Sequence, residues 1–311
     1  MDISAITYKK KNYLLVMVSI IKGDCIKILP TLPDNSIDLI LTDPPYFIGK
    51  LTNQWKDTKK PNSHITHLPK GMAFSKNQTI QLYDFYKKIA EQAIKKLKPG
   101  GYFLSFSAPR LYHAIAMAND EAGLEVRDML NWVYTQSMPK GMSIQRFIEA
   151  SSLDKNRKKE LTDYYKDFKT PMIRSCTEPI CVAMKPREGT FFNNELTFTT
   201  GLVDFSQKTG LDNHCPSNVI TTEIISPVYD KNFLVKKPSK KEKEGSNHPT
   251  IKPIELIEHL IRLYSKEGAT VLDPFLGSGT TAKACLKSNR KCIGIEKNSQ
   301  YFYDSVKGIV V

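Results

Sequence analysis

An α/β fold is what this sequence predicts: a mixed, mostly parallel sheet with helices on both faces and a region inserted in the middle. Three observations support it. Strand-like and helix-like runs alternate over residues 1–135 and again from Asn247 onward. IDLILTD is a continuous apolar run rather than an alternating one, as expected of a strand buried on both faces. Residues 136–246, between the two stretches, lose the rhythm. Strand–helix alternation at both ends of a chain implies one parallel sheet covered by helices.

The elements follow in order. YKKKNYLLVMVSII begins like a secretory leader, with a basic stretch before an apolar one. It lacks a small-residue cleavage site, and Asp24 falls where a cut would be needed, so Val16 to Ile21 reads as a strand. IDLILTD is an apolar strand ending on an acid. QLYDFYKKIAEQAIKKLKPGG places Leu82, Phe85, Ile89, Ala93 and Leu97 at helical spacing, with Pro99-Gly100-Gly101 as the stop. YFLSFS reads as a strand, LYHAIAMANDEAG as a helix and VRDMLNWVYT as a strand. The middle region holds RKKELTDYYKDFK, a strand-like EPICVAMK, and VKKPSKKEKEGSN, which suits a solvated surface loop or a DNA contact equally. PIELIEHLIRLYS then reads as an amphipathic helix, ATVLDPF as a strand, TTAKACLKSNR as a helix, KCIGIEKN as a strand and SQYFYDSVKGI as a helix.

Composition narrows the partners. With 311 residues and 41% apolar content there is material for a sizeable core. Lys and Arg number 45 against 32 Asp and Glu, a net charge of +13. With a pI near 9.3, that balance fits a nucleic-acid binder, although membranes or solubility alone would also draw on it. The six cysteines (Cys25, Cys176, Cys181, Cys215, Cys285, Cys292) form no CxxC pair. No zinc site is expected from them, and reduced thiols in the cytoplasm are. HITH, at His64 and His67, offers only two ligands, and no metal is expected there either. No apolar run approaches the ~18 residues of a membrane span.

Two motifs carry chemistry. DPFLGSGTT, Asp273 to Thr281, follows a strand and opens a helix. Gly277 and Gly279 let the backbone turn tightly and approach a ligand. Glu296 ends the next strand, 19 residues after Gly277, where nucleotide-binding folds place the acid that takes ribose hydroxyls. The loop is not GxGxxG and has no Walker lysine. Asp273 would repel phosphate but suits a cationic tail, and S-adenosylmethionine carries an ammonium, a sulfonium and an adenosine. The second motif is DPPY, Asp43, Pro44, Pro45 and Tyr46. An exocyclic amino nitrogen on a base is a poor nucleophile because its lone pair is delocalised into the ring. Acceptors on both N–H bonds, the Asp43 carboxylate and the Pro44 carbonyl, would free that pair. The prolines fix the backbone and bring no competing N–H. Tyr46 offers a ring on which a flipped-out base can stack.

In this order the motifs resemble the amino-methylating DNA methyltransferases of the adenine-N6/cytosine-N4 type, in the permuted arrangement called the beta class. DPPY stands at 43–46, NHPTIKP at 247–253 and DPFLGSGTT at 273–281. GDCIKILPTLPDNSIDLILTDPPY and NWVYTQSMPKGMS resemble further blocks of the class, so the likeness covers roughly 15–135 and 247–305. It implies the S-adenosylmethionine-dependent methyltransferase (Rossmann-like) fold. Residues 1–135 would be the catalytic half, 136–246 the target-recognition region and 247–311 the cofactor-binding half. It implies that Asp43, Pro44, Pro45 and Tyr46 hold the target base. Phe275, Gly277, Gly279 and Thr280 would pass around the methionine part of the cofactor, with Asp273 nearby. Glu296 would take the ribose and Asp24 the adenine. His248 and Lys252 would close over the methionine end; their plainer readings are a helix cap and a surface lysine.

The implied substrate is double-stranded DNA, methylated on adenine by base flipping, because the first residue of the motif in this family is usually Asp in adenine enzymes and often Ser in cytosine ones. Cytosine-N4 methylation is the alternative, and a non-catalytic DNA-binding module is the rival from another class. A cognate restriction endonuclease and a monomer or homodimer are the implied partner and state. Arg146, Arg174 and Lys140 are candidate base readers that sequence does not rank. The loop after Gly49 is expected to order over DNA, with Trp55 as anchor.

Overall fold

The continuous apolar runs become the strands of one sheet. The computed structural model describes residues 3–10, 13–45, 77–134, 141–171, 173, 175–207, 215–221, 233–234 and 251–310. Its elements, in order, are β1 (Ile3–Lys10), β2 (Tyr13–Lys22), α1 (Cys25–Ile28), β3 (Ile37–Thr42), α2 (Gln78–Lys96), β4 (Leu97–Phe106), α3 (Tyr112–Glu121) and β5 (Glu125–Val133). Then come α4 (Gln145–Ala150), α5 (Lys155–Tyr164), β6 (Thr177–Met184), α6 (Phe191–Phe198), β7 (Val219–Thr221) and β8 (Phe233–Leu234). The chain closes with α7 (Ile254–Tyr264), β9 (Thr270–Asp273), α8 (Thr280–Lys287), β10 (Lys291–Glu296) and α9 (Ser299–Val310).

The strand order is β1-β2-β10-β9-β3-β4-β6-β5-β7-β8. From β2 to β4 every pairing is parallel. β1 runs antiparallel to β2, and β6 antiparallel to both β4 and β5. A parallel sheet needs its strands adjacent in space rather than in sequence, so residues near 18, 40, 271 and 293 can lie side by side.

Three expectations need correction. The run that began like a leader is part of an edge hairpin: its Tyr8 to Lys10 close β1, and β2 starts at Tyr13, before the expected Val16. α2 stops at Lys96, not at the Pro-Gly-Gly. Leu97 already has extended backbone and pairs with Ile37, while the next partners are Leu39 and Tyr102. Pro99-Gly100-Gly101 therefore forms an irregularity inside β4. A Cβ on Gly101 would come within 2.9 Å of the Lys98 carbonyl and 3.0 Å of the Asp38 carbonyl. Last, EPICVAMK lies inside the main sheet as β6, with Ile180, Cys181, Ala183 and Met184 fully buried. Part of the region expected to read target DNA thus builds the sheet itself.

Alternate strand residues feed two cores. On one face Ile40, Phe103 and Ala183 pack with Leu82, Tyr86 and Ile89 of α2 and Ile115 and Ala118 of α3. On the other, Leu39, Leu41, Leu104 and Val182 pack with Leu256, Leu260 and Ile261 of α7 and Phe302 of α9. Each such fully buried aliphatic side chain contributes about 1.5–3 kcal/mol. α5, by contrast, buries no residue; Asp154 caps it through hydrogen bonds from the Asn156 and Arg157 amides, both 3.0 Å. No helix among the described residues is long and apolar enough to cross a membrane.

Candidate active site

Parallel neighbours end on the same edge of a sheet, and crevices beyond the carboxyl ends of such strands bind ligands. Here β2, β10, β9 and β3 are consecutive, and each ends at or just before an acid: Asp24, Glu296, Asp273 and Asp43. Positions 24, 43, 273 and 296 are brought together by topology alone.

The glycine loop hangs between two of these acids. Asp273 is almost fully buried. Its Oδ1 accepts from the Thr42 hydroxyl at 2.8 Å and the Phe275 amide at 3.0 Å, and its Oδ2 from the Thr281 hydroxyl at 2.6 Å. Burial pushes this carboxyl up to about 6 although those three donors pull the other way; the nearby Asp43 adds to the rise. Asp273 thus clamps the end of β3 and the start of α8 to its own turn. Gly277 and Gly279 stand at φ +55° and +82°, where a side chain would be strained. The Gly277 amide donates to Glu296 Oε2 at 2.8 Å, and the Asn298 amide to Oε1 at 2.6 Å. Burial raises the Glu296 carboxyl, against the pull of those amides. A carboxylate offers about four lone-pair sites, so both oxygens retain capacity for hydroxyl donors.

Gly294 escaped the sequence reading. A Cβ there would lie 2.6 Å from Leu276 Cδ2 and 2.8 Å from Cδ1, so glycine lets the loop lie flat on β10. The Leu276 amide donates to the Ile295 carbonyl at 2.9 Å, which fastens it there. A glycine inside an otherwise apolar strand was the available signal.

The other cofactor candidates sit around this loop. Asp24 caps α1, accepting from the Ile26 amide at 3.1 Å and from Lys297 Nζ at 2.8 Å. Partial burial opposes its charge, yet Lys297, the Ile26 amide and Lys27 together leave the carboxyl below its ordinary value. The Gly23 amide donates to the Glu296 carbonyl at 2.9 Å, which sets Asp24 beside Glu296. Phe275 packs on Phe85, ring centroids 6.0 Å apart. Thr280 is the first residue of α8, its hydroxyl 3.2 Å from that of Ser278.

Asp43 follows β3 directly, with Pro44 buried and Pro45 half-buried beside it. Lys252 Nζ lies 2.5 Å from Asp43 Oδ2, 3.1 Å from Glu178 Oε2 and 4.9 Å from the centre of the Phe106 ring. Lys252 is only 9% exposed. Burial opposes its charge, but the two carboxylates outweigh it and hold the ammonium above its ordinary value. Its contacts are thus on the Asp43 side of the site. Glu178, the other missed residue, opens an apolar strand as Asp43 closes one. Tyr46, His248, Trp55, His64, His67, Lys140 and Arg174 lie outside the described residues; Arg146 is exposed on α4. Among the described residues no group of three or more His, Cys, Asp and Glu could hold a metal ion.

The chain is similar to known proteins. A family model of the N6/N4 type, described as DNA methylase, matches residues 37–307. The chain is 26% identical over 299 residues to the type II methyltransferase M2.LlaDCHI of Lactococcus lactis subsp. cremoris, covering 94% of this chain and 88% of that one. It is 27% identical over 304 residues to the type II methyltransferase M.HindIII of Haemophilus influenzae, covering 90% and 91%. Among solved structures, the PvuII DNA methyltransferase (cytosine-N4-specific) matches with TM-score 0.59 at 18% identity, over 93% of this chain and 84% of that one. The M1.HpyAVI–SAM complex matches with TM-score 0.53 at 22% identity, over 94% and 98%.

Proposed function

The chain belongs to the N6/N4 DNA methylase family, and from that premise we propose that it methylates the exocyclic amino group of adenine in double-stranded DNA. The observation that carries the reading is the fixed carboxylate of Asp43 at the end of β3, 2.5 Å from a buried ammonium and one strand away from the glycine loop. S-adenosylmethionine is the methyl donor of this family, and when bound it supplies a methyl group that is already electrophilic. The donor set fits it: Glu296 has acceptor capacity for two ribose hydroxyls, and Gly277 and Gly279 hold the turn in left-handed backbone, with Gly279 so close to α9 that a Cβ would meet Ser305 at 3.0 Å. Asp24 is placed for the adenine end. Asp273, with three of its roughly four lone-pair sites taken by internal donors, serves by holding the loop in shape.

The remaining work falls to the motif after β3. Asp43 accepts one N–H of the target amino group, and the Pro44 carbonyl accepts the other. The nitrogen lone pair is then less delocalised into the ring. Asp43 is also positioned to take the proton released when the new N–C bond forms. A carboxylate is a stronger acceptor than a hydroxyl, which favours adenine on the family pattern. Tyr46 stacks the flipped base. Residues 136–246 outside β6 read the target sequence, and a cognate restriction endonuclease is the partner this reading implies.

Nucleoside mass spectrometry tests the product. DNA incubated with the enzyme and labelled S-adenosylmethionine should carry label on the adenine amino group. Label on the amino group of cytosine alone would replace adenine by cytosine. Label on carbon 5 of cytosine would overturn the mechanism.

A further inference from the structure

We infer that Glu178 is a positioning residue for methyl transfer, acting on Asp43 through Lys252; this rests on Asp43 being the acceptor for the target amino group. Three distant stretches meet here: the turn after β3, the first residues of β6 and the approach to α7. Lys252 sits between two carboxylates, 2.5 Å from Asp43 and 3.1 Å from Glu178, and is almost fully buried. One carboxylate would be enough to neutralise it. With Asp43 alone, the ammonium would spend its whole charge on the carboxylate that must accept the target N–H, and would weaken it as an acceptor. Glu178 divides that charge. Asp43 is then held in place while staying electron-rich. Glu178 is itself tied down: the Tyr134 hydroxyl donates to its Oε1 at 3.3 Å from the end of β5. β6 therefore does more than fill the sheet between β4 and β5, because its first residues share the charge that bears on Asp43 across β4.

The test is a double-mutant cycle read by single-turnover methylation of unmodified genomic DNA, with S-adenosylmethionine affinity measured by calorimetry. Glu178→Gln should slow transfer about ten- to a hundredfold, the scale of a slightly misplaced reacting group, while cofactor affinity stays within about twofold. Lys252→Met should slow it more. In the Lys252→Met background, Glu178→Gln should cause no further loss and should recover part of the rate, because without the cation Glu178 is only a repelling neighbour. That reversal of sign belongs to a shared charge, not to packing. Glu178→Asp keeps the charge with a shorter reach, and should fall between wild type and Glu178→Gln; it also reads the role if the glutamine variant does not fold. Wild-type rates in both Glu178 variants would overturn the inference, as would an equal loss from Glu178→Gln with and without Lys252. An Asp43→Ala variant that still transfers methyl at the wild-type rate would instead remove the premise.

Discussion

Gly294→Ala is the sharpest test of how the cofactor loop is built. The added methyl would meet three atoms of one side chain, Leu276 Cδ2 at 2.6 Å, Cδ1 at 2.8 Å and Cγ at 3.0 Å. Real Cβ atoms do not approach so closely, so Leu276 must turn or the loop must lift. Leu276 is 4% exposed and its amide is bonded to Ile295, so neither movement is free. Overpacking of this kind costs about 1–3 kcal/mol. In a protein of this size that corresponds to a melting point lower by roughly 2–6 °C. Leu276 precedes Gly277, whose amide is the donor to Glu296 Oε2. A lifted loop therefore breaks the link between the glycine turn and the proposed ribose acid. S-adenosylmethionine should bind about tenfold weaker or worse, since 1.4 kcal/mol is already a factor of ten. Calorimetric titration and a thermal melt read both effects. Leu276→Ala in the same chain removes the clashing atoms and should restore part of the affinity, though not all of the stability. A Gly294→Ala variant with wild-type affinity and melting point would refute the account of the loop.

Three other outcomes follow from the site and the charge. Asp43→Ala should lose turnover by ~10²-fold or more, as expected for a positioned electrostatic partner, yet keep most of its cofactor affinity; near-normal transfer would displace Asp43 from the mechanism. DNA binding should weaken steeply with salt, given the net charge of +13, because neutralised phosphates release counterions; a flat dependence would reduce the lysines to solubility. For Asp273, folding raises the carboxyl from 3.8 to about 6 through burial. The folded state then holds a proton that the unfolded state has lost, so this group makes stability fall as pH rises from about 4 to 6. Asp273→Asn should flatten that slope in urea melts taken across the window, and an unchanged slope would contradict the burial argument.

The sheet was legible where burial writes itself into composition. IDLILT and YFLSF are mostly apolar because both of their faces are covered, and KCIGIE is apolar between its charged ends. The edge hairpin was not legible in the same way. ISAITYKK alternates and then carries lysines, as an edge strand does, and its pairing with β2 shows only in the register. The Pro-Gly-Gly after α2 misled for a related reason. A helix-stop signal says where a helix can no longer continue; here the chain had already turned extended at Leu97, because pairing with Ile37 was worth more than one further helical turn.

The site divides along similar lines. Asp43, Asp273, the two loop glycines and Glu296 each stand at the end of a strand or in the turn after it, so local pattern alone nominated them. Lys252 could be nominated but not placed, because its partner is 209 positions away in the chain. Glu178 could not even be nominated: a single acid before a buried strand is an ordinary strand boundary until the topology inserts that strand next to β4. What brings it into the site is the antiparallel course of β6. Running against its neighbours, β6 presents its first residues at the edge where β3 and β9 present their last. Had β6 been parallel, Met184 would lie at that edge and Glu178 at the far end of the sheet, leaving Lys252 with Asp43 alone. The reversal of one strand is thus what gives the buried ammonium its second carboxylate.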